Sequence, residues 1–199
     1  MRVVAVSLVC LCVGLVPAAG CVMKPSTTGS LIPVEVTAGE RHTCVLTSGG
    51  ARCWGNNNYG QLGDGTTIDR AIAVPVIGLP DGVASITAGG RHTCVVTNSG
   101  AAWCWGENHD GQLGDGSRTD RSAPVMVAGL TSGVTALGAG ERHTCAVTHE
   151  GTVRCWGNNH YAQLGDGTTV DRDSPVAVAG LTGVSAIAAG RRHTCALSV

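Results

Sequence analysis

The sequence predicts an all-β fold, a partial β-propeller of about three and a half four-stranded blades, and three observations predict it. The stretch GERHTCVLTSGGARCWGNNNYGQLGDGTTIDR at 39–70 recurs at 89–121 and 140–172 and begins a fourth time at Gly190. His42, His92, His143 and His193 thereby mark a period of 50 to 51 residues, the range of propellers, solenoids and arrays. Each unit holds four short strand-like runs and no sustained helical periodicity, which reads as a blade rather than a helical repeat. The composition agrees: 30 glycines, no phenylalanine and many β-branched residues suit short strands joined by tight turns.

Taken in order, the chain opens with Arg2 and an uncharged run from Val3 to Met23 that ends in Ala18, Ala19 and Gly20 before Cys21. A basic start, an apolar core and small residues at its exit describe a secretory signal over 1–20. The Ala-Ala-Gly-Cys exit resembles a bacterial lipobox, with Ala18 where leucine is usual, and predicts lipidation of Cys21. Cleavage after Ala18 or Gly20, and retention of the run as a membrane anchor, are the alternatives. All three place the repeats outside the cytoplasm, in the cell envelope or secreted, with the membrane touched only through the lipid in the leading reading. Residues 21–30 include KPSTTGS, a polar tether, and the repeat domain runs from 31 to 199, ending inside a hairpin.

Within the second unit the predicted strands are Val83–Thr87, His92–Thr97, Ala102–Trp105 and Ala123–Val127; over the whole domain the tally is fourteen. The middle two make a hairpin in every unit, and each hairpin carries a cysteine pair: Cys44 with Cys53, Cys94 with Cys104, Cys145 with Cys155. In the simplest register the two cysteines face each other, and a non-hydrogen-bonded pair brings the Cβ atoms close enough for a disulfide. An exported chain favours oxidation. Free packed thiols, and zinc held by His42, Cys44 and Cys53 and their equivalents, are the competing readings. Cys195 is left over, its partner expected some ten residues beyond Val199.

The pattern Ala-Gly-x-x-His-[Ser/Thr], a hairpin ending Cys-Trp-Gly-x-Asn, then Gly-Gln-Leu-Gly-x-Gly and a later Pro-Val, resembles the regulator of chromosome condensation repeat. The resemblance covers Leu31 to Val199 and implies four-stranded blades of a seven-bladed ring. The cysteine pairs depart from it, as exported versions do. About half a ring is present, so truncation, an open stack, or self-association of two copies to complete a ring would each account for the count.

The chemistry of the repeated residues is structural in expectation. The histidines are expected to bond a neighbouring blade's backbone, and Trp54, Trp105 and Trp156 to pack between blades. The Asp-Arg pairs Asp69-Arg70, Asp120-Arg121 and Asp171-Arg172 are expected to tie blade loops together by ion pairs. The Gly-Gln-Leu-Gly-Asp-Gly segments lack the Lys-Ser/Thr ending of a phosphate loop, and the aspartate spacing is not that of a calcium loop. No nucleophile-and-base set stands apart from the repeat. The reading is therefore no enzyme, no cofactor and no metal. A net charge of −1 without a basic cluster argues against nucleic acid.

Where copies differ, the scaffold does not dictate the residue, and loops on a rigid frame are where binding resides. Asn58, Tyr59, His109, Asp110, His160 and Tyr161 are the candidate binding residues, with the hairpin tips and Glu40, Gly90, Glu141 and Arg191 as further odd positions. The predicted function is a non-enzymatic exported module that presents propeller loops to an unknown protein partner. The resemblance implies an alternative, guanine-nucleotide exchange on a small GTPase. A binding part of a longer cell-wall-acting protein is a third reading.

Overall fold

A computed structural model describes residues 33–198; the signal, Cys21 and the tether lie outside the described residues. The first blade is β1 (Pro33–Ala38), β2 (His42–Thr47), β3 (Gly50–Gly55) and β4 (Arg70–Pro75). The second is β5 (Val83–Ala88), β6 (His92–Thr97), β7 (Ala102–Gly106) and β8 (Arg121–Met126). The third is β9 (Val134–Ala139), β10 (His143–Thr148), β11 (Val153–Gly157) and β12 (Arg172–Ala177). A hairpin of β13 (Val184–Ala189) and β14 (Thr194–Ser198) follows. Each blade is an antiparallel sheet in sequence order, so every connection inside it is a hairpin. The strand tally matches the sequence reading; in the second unit β5 and β7 each run one residue further and β8 ends one earlier, and β8 begins two residues early, at Arg121, because Arg121 already faces Gly106 across a bulge.

Register explains the cysteines. The Asn56 amide donates to the Arg41 carbonyl (2.9 Å), and bonded and non-bonded pairs alternate along an antiparallel ladder. Stepping inward, the facing pair Cys44 and Cys53 falls on a non-hydrogen-bonded site. The same holds where Glu107 and Asn158 donate to Arg91 and Arg142. Disulfides join Cys44–Cys53, Cys94–Cys104 and Cys145–Cys155, with Cα atoms 4.0–4.1 Å apart. The zinc reading is thereby corrected, since no thiolate is left in these pairs.

Glycine is required where the strand leaves the cysteine. At Gly106 φ is +111° and an added Cβ would stand 2.5 Å from the Arg91 carbonyl oxygen. Gly55 and Gly157 repeat that fit, which is why Cys-Trp is always followed by glycine.

The cores lie between blades. Trp105, with Leu62, Ile86 and Val95, fills the joint of blades one and two; Trp156, with Leu113, Val127 and Val134, fills the next. Trp105 and Trp156 are fully buried, whereas Trp54 is only half-buried, because no described blade covers its side of the first sheet. The turns that follow the inner strands are stitched by backbone bonds from Glu40 to Gly90 (3.1 Å) and Gly90 to Gly140 (3.0 Å). Outer strands are guarded by proline. Val127 donates inward to Ala102 (3.0 Å), so Pro124, three residues before it, turns its donor-less nitrogen to the open edge. Pro75 and Pro175 do the same one and three residues before the inward-donating Val76 and Val178, denying further strands a ladder.

Candidate functional site

The candidate residues sit on the long loop after the third strand of each blade, and the loop is built on one asparagine. The Asn57 side chain donates to Asp64 (3.1 Å) and to the carbonyls of Thr66 (3.0 Å) and Ile68 (3.2 Å), and accepts from the Leu62 amide (2.9 Å). Its own amide donates to Asp69 (2.7 Å). Asn108 and Asn159 rebuild the same set in the other copies. All three asparagines are fully buried, and a satisfied buried network of this kind rigidifies its surroundings.

The Asp-Arg expectation of ties between blade loops is met among the described residues by Asp171, 3.9 Å from Arg118 of the preceding loop, and is corrected for the others. Arg70 pairs with Asp64 (2.7 Å) inside its own loop, not with Asp69, which caps the Asn57 amide. Arg121 with Asp115 (2.9 Å) and Arg172 with Asp166 (2.8 Å) repeat this. Burial pushes the Asp166 carboxyl up, but bonds from Thr168, Arg172 and Asn159 outweigh it and hold it at about 2. Asp64 and Asp115 are lowered by the same balance.

The loop also grips the next blade. The Gln61 carbonyl accepts two bonds, from the Thr93 hydroxyl and the Trp105 indole, both 2.9 Å. Gln112 does the same for Thr144 and Trp156. Thr93 has one hydroxyl proton and spends it on Gln61, so the ring nitrogen Nε2 of His42, 2.9 Å away, must donate to Thr93. The histidine thus reaches a neighbouring hydroxyl rather than the backbone expected from the sequence. That tautomer leaves Nδ1 a bare acceptor, and the Nδ1 atoms of His42, His92 and His143 are buried without partners. Burial lowers His42 and His143 to about 4; it lowers His92 to about 3, helped by the nearby His143 and His42.

On this frame the six candidates fall into two groups. Asn58, His109 and His160 stand exposed on the loop crests. Tyr59, Asp110 and Tyr161 hold an arginine of the following blade. Arg91 stacks over Tyr59 at 5.2 Å and donates to its hydroxyl at 3.1 Å. Arg192 treats Tyr161 alike, at 4.8 and 3.1 Å, and Arg142 donates to Asp110 at 3.2 Å. The structure brings Tyr59 and His109 together edge to face at 5.8 Å, and leaves the His160–Tyr161 pair on another blade.

One residue at the centre of this cluster is missed by the sequence reading. Glu107 is 1% exposed and accepts from Gln112 (3.3 Å). His109 lies 3.4 Å from its other oxygen, with Arg91 and Arg142 at 3.9 Å. Burial pushes its carboxyl up against the pull of Arg142, Arg91 and His109. The signal was available: the other copies have Asn56 and Asn158 at that place.

Comparison with known proteins follows the same repeats. Two profiles of the regulator of chromosome condensation (RCC1) repeat match, one at 48–96, 99–147 and 150–197 and the other at 34–61, 83–112 and 134–163. The chain is 34% identical over 162 residues to the ultraviolet-B receptor UVR8 of Arabidopsis thaliana, covering 80% of this chain and 37% of the receptor. It is 37% identical over 170 residues to the probable E3 ubiquitin-protein ligase HERC4 of Homo sapiens, covering 81% and 16%. Among solved structures, human WBSCR16 superposes with a TM-score of 0.75 at 28% identity over 83% of this chain and 44% of that one. Prp20p of Saccharomyces cerevisiae, described with its binding to Gsp1p and histones, gives 0.71 at 21% identity over 82% and 43%. The chain thus spans less than half the length of each.

Proposed function

This chain belongs to the regulator of chromosome condensation (RCC1) repeat family, and from that premise we propose that it is a non-enzymatic exported module whose loops bind a protein partner. The observation that carries the reading is the placement of the odd residues. Asn58, His109 and His160 crest three loops at one end of the blades, each loop locked by its buried asparagine hub. Rigid loops lose little entropy on binding, which favours affinity. The three disulfides support an oxidising compartment outside the cytoplasm, and lipidation at Cys21 would hold the module at the envelope. Prp20p binds proteins, Gsp1p and histones, a precedent for a protein partner; at 21% identity it carries the fold and not exchange activity.

The test is the triple variant Asn58→Ala, His109→Ala, His160→Ala against a hairpin-tip variant, Asn98→Ala with His149→Ala, at the opposite end. Cross-linked partners are recovered from the native envelope. The loop variant should retain at least about tenfold less partner, the loss of about 1.4 kcal/mol of binding, at an unchanged melting temperature. Loss confined to the tip variant would overturn the reading.

A further inference from the structure

Five Asp-Gly pairs occur in the sequence: Asp64-Gly65, Asp81-Gly82, Asp110-Gly111, Asp115-Gly116 and Asp166-Gly167. An aspartate followed by glycine is prone to close on itself, because no Cβ shields the glycine nitrogen from the carboxyl carbon before it. The fold opposes that closure at all but one pair. At Asp64, Asp115 and Asp166 the carboxyl is tied by the hub asparagine, a Ser or Thr and an arginine. These bonds hold it below the usual carboxylate range, away from the neutral form that sheds water. The amides of Gly65 and Gly116 also donate to Ser122 and Asp173 of the following blade (2.9 and 3.0 Å). At Asp110 the carboxyl is held by Arg142 (3.2 Å), and the Gly111 amide donates to Asn108 (3.0 Å).

Asp81-Gly82 differs in each respect. It lies in the turn between β4 and β5, and both residues are exposed. Among the described residues neither the Asp81 carboxyl nor the Gly82 amide has a hydrogen-bond or ion-pair partner. The matching turns carry no carboxyl, reading Leu-Thr-Ser-Gly at 130–133 and Leu-Thr-Gly at 181–183. The turn is nevertheless coupled to the frame: the Gly82 carbonyl accepts the Asn98 amide (2.7 Å), and Leu79 and Val83 pack against the core of the first joint beside Trp105.

We propose that Asp81 is a site of spontaneous covalent modification, converting to isoaspartate and thereby loosening the joint of blades one and two. The Gly82 nitrogen attacks the Asp81 side-chain carboxyl carbon. A new N–C bond forms, the carboxyl C–O bond breaks, and the amide proton leaves with the hydroxyl as water. The five-membered imide then takes up one water at either carbonyl. Attack at the main-chain carbon leaves the chain running through the Asp81 side chain, one atom longer, with the former main-chain carbonyl as a free carboxylate. Nothing is oxidised or reduced, and solvent water is the only co-reactant. The longer turn cannot keep both the Asn98 bond and the seats of Leu79 and Val83. The site lies at the opposite end from the loop crests and stands whether or not they bind a protein.

The full chain is incubated at neutral pH in oxygen-18 water, then digested with trypsin in ordinary water, which releases Asp81 alone of the five on the peptide 71–91. That peptide should gain one heavy oxygen and co-elute in part with a synthetic isoaspartyl standard. It should do so at least about fivefold faster than any other pair, the factor that one protecting amide bond of about 1 kcal/mol gives. Conversion at Asp64, Asp110, Asp115 or Asp166 as fast as at Asp81, or no label at Asp81, overturns the proposal. In urea the five rates should converge; a spread as wide as in the folded chain overturns it. Asp81→Ser should abolish the label in 71–91, and a label that persists there also overturns it. The isomerised fraction should unfold at lower urea than the rest, and an identical midpoint overturns the loosening.

Discussion

Acid should unfold this protein through its three joint histidines. Each is neutral in the folded state because burial lowers it to about 4 (His42, His143) or about 3 (His92), against an ordinary value near 6.5 when unfolded. Below about pH 6.5 the unfolded chain therefore binds more protons than the folded one, and stability falls as pH falls. The loss continues until the folded values are reached. Three such groups give a slope of about 4 kcal/mol per pH unit below pH 6, and about 10 kcal/mol by pH 4. That rivals the whole stability of a typical domain. Glu107, raised by burial, acts in the opposite sense, losing stability as pH rises above about 4.5, and so opposes the histidine slope. Asp64, Asp115 and Asp166 are lowered and act only below about pH 4. Urea unfolding at pH 7.0, 6.0, 5.5 and 5.0 measures the slope directly. His92→Gln should lower it by about a third while leaving a donor for Thr144. A stability flat from pH 7 to 5, or a slope untouched in His92→Gln, would refute the neutral-histidine joint.

Further outcomes follow from the same contacts. Trp105→Phe keeps most of the socket filled but strands the Gln61 carbonyl's second bond, and should cost about 1–3 kcal/mol by urea unfolding. Reducing the Cys94–Cys104 link, which closes a separation of 10 residues, should cost about 2–3 kcal/mol, read as a lower midpoint in reductant. Asn108→Ala empties the loop hub and should cost about 2–4 kcal/mol, with amide exchange rising in 107–120 more than in β5 or β6. Glu107→Gln keeps an acceptor for Gln112 without a buried charge and should raise the melting temperature at pH 7.

Much of this was legible in the residues themselves. The strand order and the cysteine register followed from local alternation, because a hairpin places its own partners. The joints were less legible. His42 meets Thr93 and Gln61 meets Trp105 across 51 and 44 positions, a contact that only blade stacking creates. Asp69-Arg70 misled because both partners are spent inside one loop, Asp69 on the Asn57 amide and Arg70 on Asp64, and none is left to reach the next blade. Trp54 and Trp105 share a sequence position but not an environment, since burial there comes from the preceding blade. Tyr59 and Tyr161 looked unconstrained, yet each carries an arginine from the blade that follows.

The central claim is that repeated side chains build the frame and the odd ones on the loop crests meet the partner. A photo-reactive residue at His109, compared with one at Ser99 on the opposite end, tests it in the native envelope. The account predicts a protein adduct from position 109 and none above background from position 99; adducts formed only from position 99 would contradict it.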